Sequence, residues 1–347
     1  MVNEKINIFD LAKEELSPIV ENIAGEAIES YEIIKIEHDI KAKFYGISGD
    51  KVIAAFSYIT QSKQSKNTVF VKRFYEPSEE REVWHYSHLS KVKAPIPICY
   101  GSLRISKNEC EIIFLEYINP VPDYRPYNEF LMDKKIIDFI KVSAQFDAII
   151  APDEYAETLA YSSPHGLYDE SISCCIDRFN RLWEDADSGR LGDDLQKLCT
   201  DRAFNQISTL AEQIAEINFI PSRHLVHDCY EPCHTGWRIK TGEMLVFDLQ
   251  GIELGPRFSN GGICIGQPDE IQNCCYTRQK LAGIYLKEYT KYSDENVSMD
   301  QFLIETRNIW LCEAMWLLDL WRRQILDGDE QYKKLLFNLV SFLVGSK

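Results

Sequence analysis

Three charged side chains in this sequence stand where charge is expensive. Lys72 closes the run Val69-Phe70-Val71, Asp248 closes Met244-Leu245-Val246-Phe247, and Glu82 follows Lys72 at the start of a helix-forming stretch. A lysine in an apolar strand either faces solvent or meets an anion in a cleft. A carboxylate leaving an apolar strand either ends it in water or pairs with a cation or a metal. Between Lys72 and Asp248 lies a second group, His224, His227, Asp228, Cys229, Cys233 and His234, which offers five soft or borderline ligands and a carboxylate within eleven residues. It lacks the C-x2-C or H-x3-H spacing of a structural zinc site. Glu79 and Glu80 compete with Glu82 as partners for Lys72.

The elements that must hold these residues follow from periodicity. Apolar positions Ile8, Leu11, Ala12, Leu16, Ile19, Ile23 and Ala27 predict one or two helices over residues 8–30. Segments 33–42, 52–60 and 68–74 are rich in β-branched and aromatic residues and predict three antiparallel strands, with turns at 46–49 and 61–67. A helix over 77–92, opened by Pro77 and acidic residues, stops at Ala94-Pro95-Ile96-Pro97. Strands over 98–104 and 111–117 complete a small sheet of about five strands. Beyond Asn119-Pro120-Val121-Pro122 the chain reads as mainly helical, over 134–149, 172–185, 203–218, 276–292 and 299–327, with a short strand pair around 237–247. The expected fold class is α+β, with a small antiparallel-sheet N-lobe at 1–118 and a larger, mainly helical C-lobe at 119–347.

Composition narrows the partners. The net charge of −16 speaks against nucleic acid, whose affinity rests on clustered Lys and Arg, and would welcome a cationic small molecule. It equally suits a solvated acidic surface. No apolar run approaches the roughly 18 to 20 residues of a membrane span, and the start of the chain has no basic leader with an apolar segment, so a cytoplasmic location is expected. Eleven cysteines, odd in number and including adjacent pairs, predict reduced thiols.

Taken in order, Lys72, Glu82, the proline break at 94–97, the strand Ile113 to Tyr117 running into Ile118-Asn119-Pro120, the loop from His227 to Thr235 and the strand ending in Asp248 resemble the aminoglycoside and macrolide phosphotransferase family. That resemblance implies a bilobal protein-kinase-like fold and a transferase using ATP or GTP with Mg. It implies that Lys72 holds the α and β phosphates and Glu82 orients it. Backbone groups around Glu116 and Ile118 meet the purine edge, and His234 and Asp248 bind magnesium. The acceptor is a hydroxyl of a small molecule, natural product or peptide. The sequence departs from the family at the catalytic aspartate, where Cys229 stands. Either the loop shifts by one residue so that Asp228 takes over the acceptor hydroxyl, or the chain is a pseudokinase that binds nucleotide, peptide or intermediate beside a partner enzyme. Gly46 and Gly49 make a short phosphate loop or a hairpin turn, and Ser259-Asn260 stand where the family has a further aspartate.

Overall fold

A computed structural model of the chain describes residues 11, 13–37, 50–74, 81–104, 111–122, 133–161, 172–217, 219, 222–228, 230–269 and 274–345. The expectations placed on Gly46–Gly49, Glu79, Glu80 and Cys229 fall outside these residues. The chain divides into two compact units, one of residues 1–125 with 227–252, the other of 126–226 with 253–347.

The first unit is built on a five-stranded antiparallel sheet. Its elements are α1 (Lys13–Ala24), β1 (Ile28–Glu37), β2 (Asp50–Thr60), β3 (Gln64–Arg73), α2 (Arg81–Lys91), β4 (Cys99–Arg104), β5 (Glu111–Glu116) and β6 (Ile118–Pro120). The strand order is β1-β2-β3-β5-β4. Alternation assigns the two faces. Val52, Ala54 and Phe56 of β2, Val69 and Val71 of β3, and Ile112 and Phe114 of β5 pack on Leu16, Ile19, Val20 and Ile23 of α1. Gly101 on β4, with φ 141°, has no side chain where Ile19 sits. The opposite face carries Lys51, Phe70, Lys72 and Leu115. Later in the chain come β7 (His224–His227), β8 (Thr235–Arg238), β9 (Met244–Val246) and β10 (Ile252–Gly255). β6, β8 and β9 form a three-stranded sheet, and β7 pairs with β10.

Two boundaries differ from the sequence reading. β1 begins at Ile28, so Ile28-Glu29-Ser30 are strand where helical spacing had been expected to continue. β3 begins at Gln64, within the polar stretch expected to be a turn, because its exposed start alternates between outward and half-buried positions before the apolar run begins. Polar residues satisfy one face of a strand as readily as they satisfy a loop.

The second unit contains α3 (Ile136–Asp147), α4 (Asp153–Ala156), α5 (Ile172–Asp187), α6 (Asp193–Leu198), α7 (Asp201–Ala215), α8 (Ser259–Gly266), α9 (Arg278–Tyr289), α10 (Met299–Leu326) and α11 (Tyr332–Leu343). Thr200, Thr277 and Ser298 cap α7, α9 and α10 by accepting from the backbone N–H three residues on. Trp310, Met315 and Leu318 of α10 pack with Phe179 and Leu182 of α5, Ile207 of α7, and Leu336 and Leu339 of α11. Trp310 therefore serves core packing, with Trp321 packed against the same cluster. Among the described residues no helix is long and apolar enough to cross a membrane.

Candidate active site

The polar end of the first unit's pocket is a buried ion triad. Lys72 Nζ donates to Glu82 Oε2 at 2.6 Å and to Asp248 Oδ1 at 2.9 Å, and its residue is only 2% exposed. β3 supplies the lysine and the first turn of α2 the glutamate. Asp248 follows β9 in the left-handed region, φ 63° and ψ 55°, a conformation that aspartate tolerates better than most residues. The backbone N–H of Leu249 donates to Glu82 Oε1 at 3.3 Å, which ties the residue after Asp248 to α2.

Burial disfavours the charge on Lys72, but Glu82 and Asp248 outweigh it and hold its pKa above the ordinary lysine value. Asp248 is likewise opposed by burial, yet Lys72, Lys51 and His234 hold its carboxyl well below the usual carboxylate range. Burial pushes Glu82 upward against the pull of Lys72. The triad therefore keeps Lys72 cationic and Asp248 anionic, the charge states needed to meet phosphate and a divalent cation.

Beyond the triad the pocket is lined by Phe70, Pro97, Leu115, Ile118 and Phe247, with Glu116 at its edge and Lys51 and Tyr86 beside the charges. Glu116 lies opposite Val69 in the β3–β5 register, so its side chain belongs to the face away from Lys72. Arg238 Nε donates to both its carboxylate oxygens at 2.9 and 3.1 Å, and the Ile98 N–H to one of them at 3.2 Å. Its backbone N–H goes to the Ile98 carbonyl at 2.8 Å. Ile118 lies in the β6–β8 ladder opposite Arg238.

The loop after β7 is anchored by His227. Its Nε2 lies 3.1 Å from the carbonyl of Phe247, and its ring stacks on His234 with centroids 5.6 Å apart and planes at 20°. Burial and the neighbouring His234 lower the His227 pKa to about 4, so the ring is neutral and donates its Nε2 proton to that carbonyl. The Phe247 N–H in turn donates to the His234 carbonyl at 2.9 Å, so two bonds join the loop to the residue preceding Asp248. His234 Nε2 lies 3.9 Å from Asp248 Oδ2. Neighbouring ligands of an octahedral magnesium at about 2.1 Å stand about 3.0 Å apart, so the two side chains would have to draw closer to share one cation.

Asp228 stands apart from the triad. Its side chain is 47% exposed, its Oδ1 lies 3.6 Å from His227 Nδ1, and its N–H donates to the carbonyl of Gly251 at 2.9 Å. It is not among the residues lining the pocket. Its carboxylate occupies the space that a side chain at Gly251 would take. Among the described residues, the group with the spacing of metal ligands is Glu231, Cys233 and His234, with ligand atoms within 4.8 Å of one another.

The structure thus gathers Lys72, Glu82, Glu116, Ile118 and Asp248 around one pocket and sets His234 beside Asp248. Lys51, Tyr86 and Arg238 belong to the same surroundings and were not singled out in the sequence. The alternation of β2, with Lys51 preceding Val52, was the signal available for the first of them. In the second unit, Glu305 accepts from Arg257 at 2.8 and 2.7 Å, and Asp319 pairs with Arg322 and Arg323. Those two acids are therefore neutralised within their own unit. Asn260, where the resembling family has aspartate, donates to Asp147 at 2.7 Å and to the carbonyl of Leu225 at 2.7 Å.

No protein-family model and no curated protein matches the sequence. Solved structures similar to this chain include a spectinomycin phosphotransferase in complex with ADP and spectinomycin, at 14% identity over 96% of this chain and 98% of that one, with a TM-score of 0.41. A thermostable mutant of an aminoglycoside phosphotransferase is 12% identical over 95% of this chain and 98% of that one, with a TM-score of 0.44. Plasmodium vivax ethanolamine kinase is 12% identical over 90% of this chain and 82% of that one, with a TM-score of 0.42. Likenesses at this level leave the chemistry to be argued from the residues.

Proposed function

We propose that this chain is a small-molecule O-phosphotransferase that takes a nucleoside triphosphate, ATP or GTP, into the pocket of its first unit. The observation that carries this reading is the buried Lys72 shared by Glu82 and Asp248. Three charged groups withdrawn from water are a poor way to stabilise a fold, since the desolvation of such an arrangement commonly cancels its Coulombic gain. They are a good way to hold phosphate oxygens and a divalent cation.

In this assignment Lys72 contacts the α and β phosphates, and Glu82 keeps it in place. The purine lies in the slot of Phe70, Leu115, Ile118 and Phe247, with backbone groups at Glu116 and Ile118 toward its edge. Asp248 and His234 hold magnesium, which supplies charge neutralisation to the β and γ oxygens when bound. Asp228 meets the acceptor hydroxyl. The acceptor oxygen forms a bond to the γ phosphorus as the bond from that phosphorus to the β–γ bridging oxygen breaks. The hydroxyl proton passes to the Asp228 carboxylate, and the nucleoside diphosphate leaves with the bridging oxygen.

One observation favours a second reading. Because the Asp228 carboxylate is half exposed and does not line the pocket, a nucleotide-binding pseudokinase acting beside a partner protein is the alternative. Thermal shift with ATP and GTP, with and without magnesium, tests both. A magnesium-dependent stabilisation in the native chain should vanish in Lys72→Met and Asp248→Asn. Phosphoryl transfer that is lost in Asp228→Asn while binding persists marks the enzyme; binding without turnover marks the pseudokinase. A native chain that responds to neither nucleotide sinks both readings.

A further inference from the structure

Lys51 of β2 lies directly opposite Lys72 of β3 in the antiparallel register. Directly opposed residues share a face of the sheet, and both lysines line the same pocket together with Phe70 and Leu115. Like charges in opposed positions destabilise a strand pair. Such a pairing on a half-buried surface therefore calls for a reason beyond folding. Part of the reason is internal: two lysines face two carboxylates, Glu82 and Asp248, and the positive charge of Lys51 acts on both of them.

Those carboxylates have other work in the assigned function. Glu82 positions Lys72, and Asp248 serves a divalent cation. A triphosphate brings more negative charge than Lys72 alone can meet. Lys51, on the same face of the sheet as Lys72 and lining the same pocket, can supply a second positive charge by side chain.

A second observation points to a polar ligand at this place. Tyr86, one turn after Glu82 on α2, is fully buried, lines the pocket, and has a hydroxyl with no hydrogen-bond partner among the described residues. A buried hydroxyl left in that state is costly, and a bound phosphate oxygen or its water would recover the cost.

We propose that Lys51 is a second phosphate-binding lysine, forming with Lys72 a two-lysine clamp that makes this pocket select its ligands by the number of their phosphates. The inference rests on the reading of the pocket as a nucleotide site. Titration calorimetry of the full chain with adenosine, AMP, ADP and ATP in magnesium, repeated for Lys51→Met and Lys51→Arg, separates the two. In the native chain affinity should climb along the series. Lys51→Met should weaken ATP about 10- to 30-fold and leave adenosine within about twofold, and Lys51→Arg should restore most of the loss. Lys51→Met also takes a cation away from Glu82 and Asp248, so ligand-free melting is measured beside it and the ratio of ATP to adenosine affinity within one variant is the quantity compared; if that variant proves unstable, Lys51→Gln makes the same comparison. Equal ATP binding by native and Lys51→Met chains overturns the clamp and leaves the nucleotide site standing. So does a loss that is as large for adenosine as for ATP. A native chain that binds none of the four overturns both.

Discussion

Asp228 carries the most consequential assignment at the scale of single residues, and its neighbour Gly251 offers a way to examine it without touching its charge. A methyl group at Gly251 would overlap the Asp228 carboxylate. That carboxylate is the exposed end of a short side chain, so it can swing aside at little cost in stability. The backbone at Gly251 is not in the left-handed region, so alanine fits there. Gly251→Ala should therefore lower kcat by about 10- to 100-fold, a loss of roughly 1.4–2.7 kcal/mol in transition-state stabilisation, with Tm nearly unchanged and nucleotide affinity intact. Steady-state kinetics beside a melting curve decide it, and an unchanged kcat removes Asp228 from the reaction. The triad itself was legible in the sequence because charge in an apolar strand is rare and demands a partner. Lys51 was not, because it stands at the start of β2 beside polar residues, where a lysine looks solvated until the register shows what lies across from it. Tyr86 was hidden for the opposite reason: on a helix a buried tyrosine looks like core.

At the scale of elements, α2 connects the site to the pH response of the fold. His85 is buried on the same helix as Glu82, and burial together with the neighbouring Arg81 lowers its pKa to about 4. In the unfolded chain its pKa returns to about 6.5. Between these values the unfolded state binds the proton and the folded state does not, so stability rises with pH across this window. The contribution is complete above about pH 6.5 and is lost as pH falls toward 4, to the extent of about 3 kcal/mol. Tm measured at intervals from pH 7 to 4.5 should fall less steeply in His85→Gln than in the native chain; parallel curves exclude the assignment. Helix contacts give a sharper contrast. A methyl group at Gly266, the last residue of α8, would overlap the Thr306 carbonyl oxygen of α10, which is backbone and cannot step aside. Gly266→Ala should cost about 2–3 kcal/mol. Gly283 of α9 has open space around it, and Gly283→Ala should gain up to about 1 kcal/mol. Calorimetric melting of the two variants should move Tm in opposite directions. α9 and α10 were readable from apolar spacing and Ser/Thr caps. α8 was not, because Ser259-Asn260-Gly261-Gly262 has the composition of a turn, and only close packing against α10 makes those glycines helical. The short strands β6, β7 and β10 escaped for a similar reason, since three or four residues carry too little alternation to be read without their partners.

Charge is a property of the whole molecule, and it bears on which acceptor the proposed phosphotransferase would take. Glu305 and Asp319 of α10 are occupied by Arg257 and by Arg322 with Arg323. A cation also meets the field of a chain carrying a net charge of −16. A field of that kind acts at long range and is screened by salt, with a Debye length that shrinks from about 30 Å at 0.01 M to about 8 Å at 0.15 M. It concentrates cations and repels anions. Nucleotide and acceptor should therefore respond to salt in opposite senses if the acceptor is cationic. Between 0.01 and 0.15 M ionic strength, KM for a polyamine-bearing acceptor such as an aminocyclitol should rise by about 5- to 10-fold, whereas an uncharged polyol should show little change. The association rate of the triphosphate should increase over the same range, because screening removes the long-range repulsion while Lys51 and Lys72 act at contact distance. Stopped-flow binding and steady-state kinetics at fixed free magnesium measure both quantities. Equal salt dependence for cationic and neutral acceptors would mean that the acidic surface keeps the chain in solution and has no part in choosing what it phosphorylates.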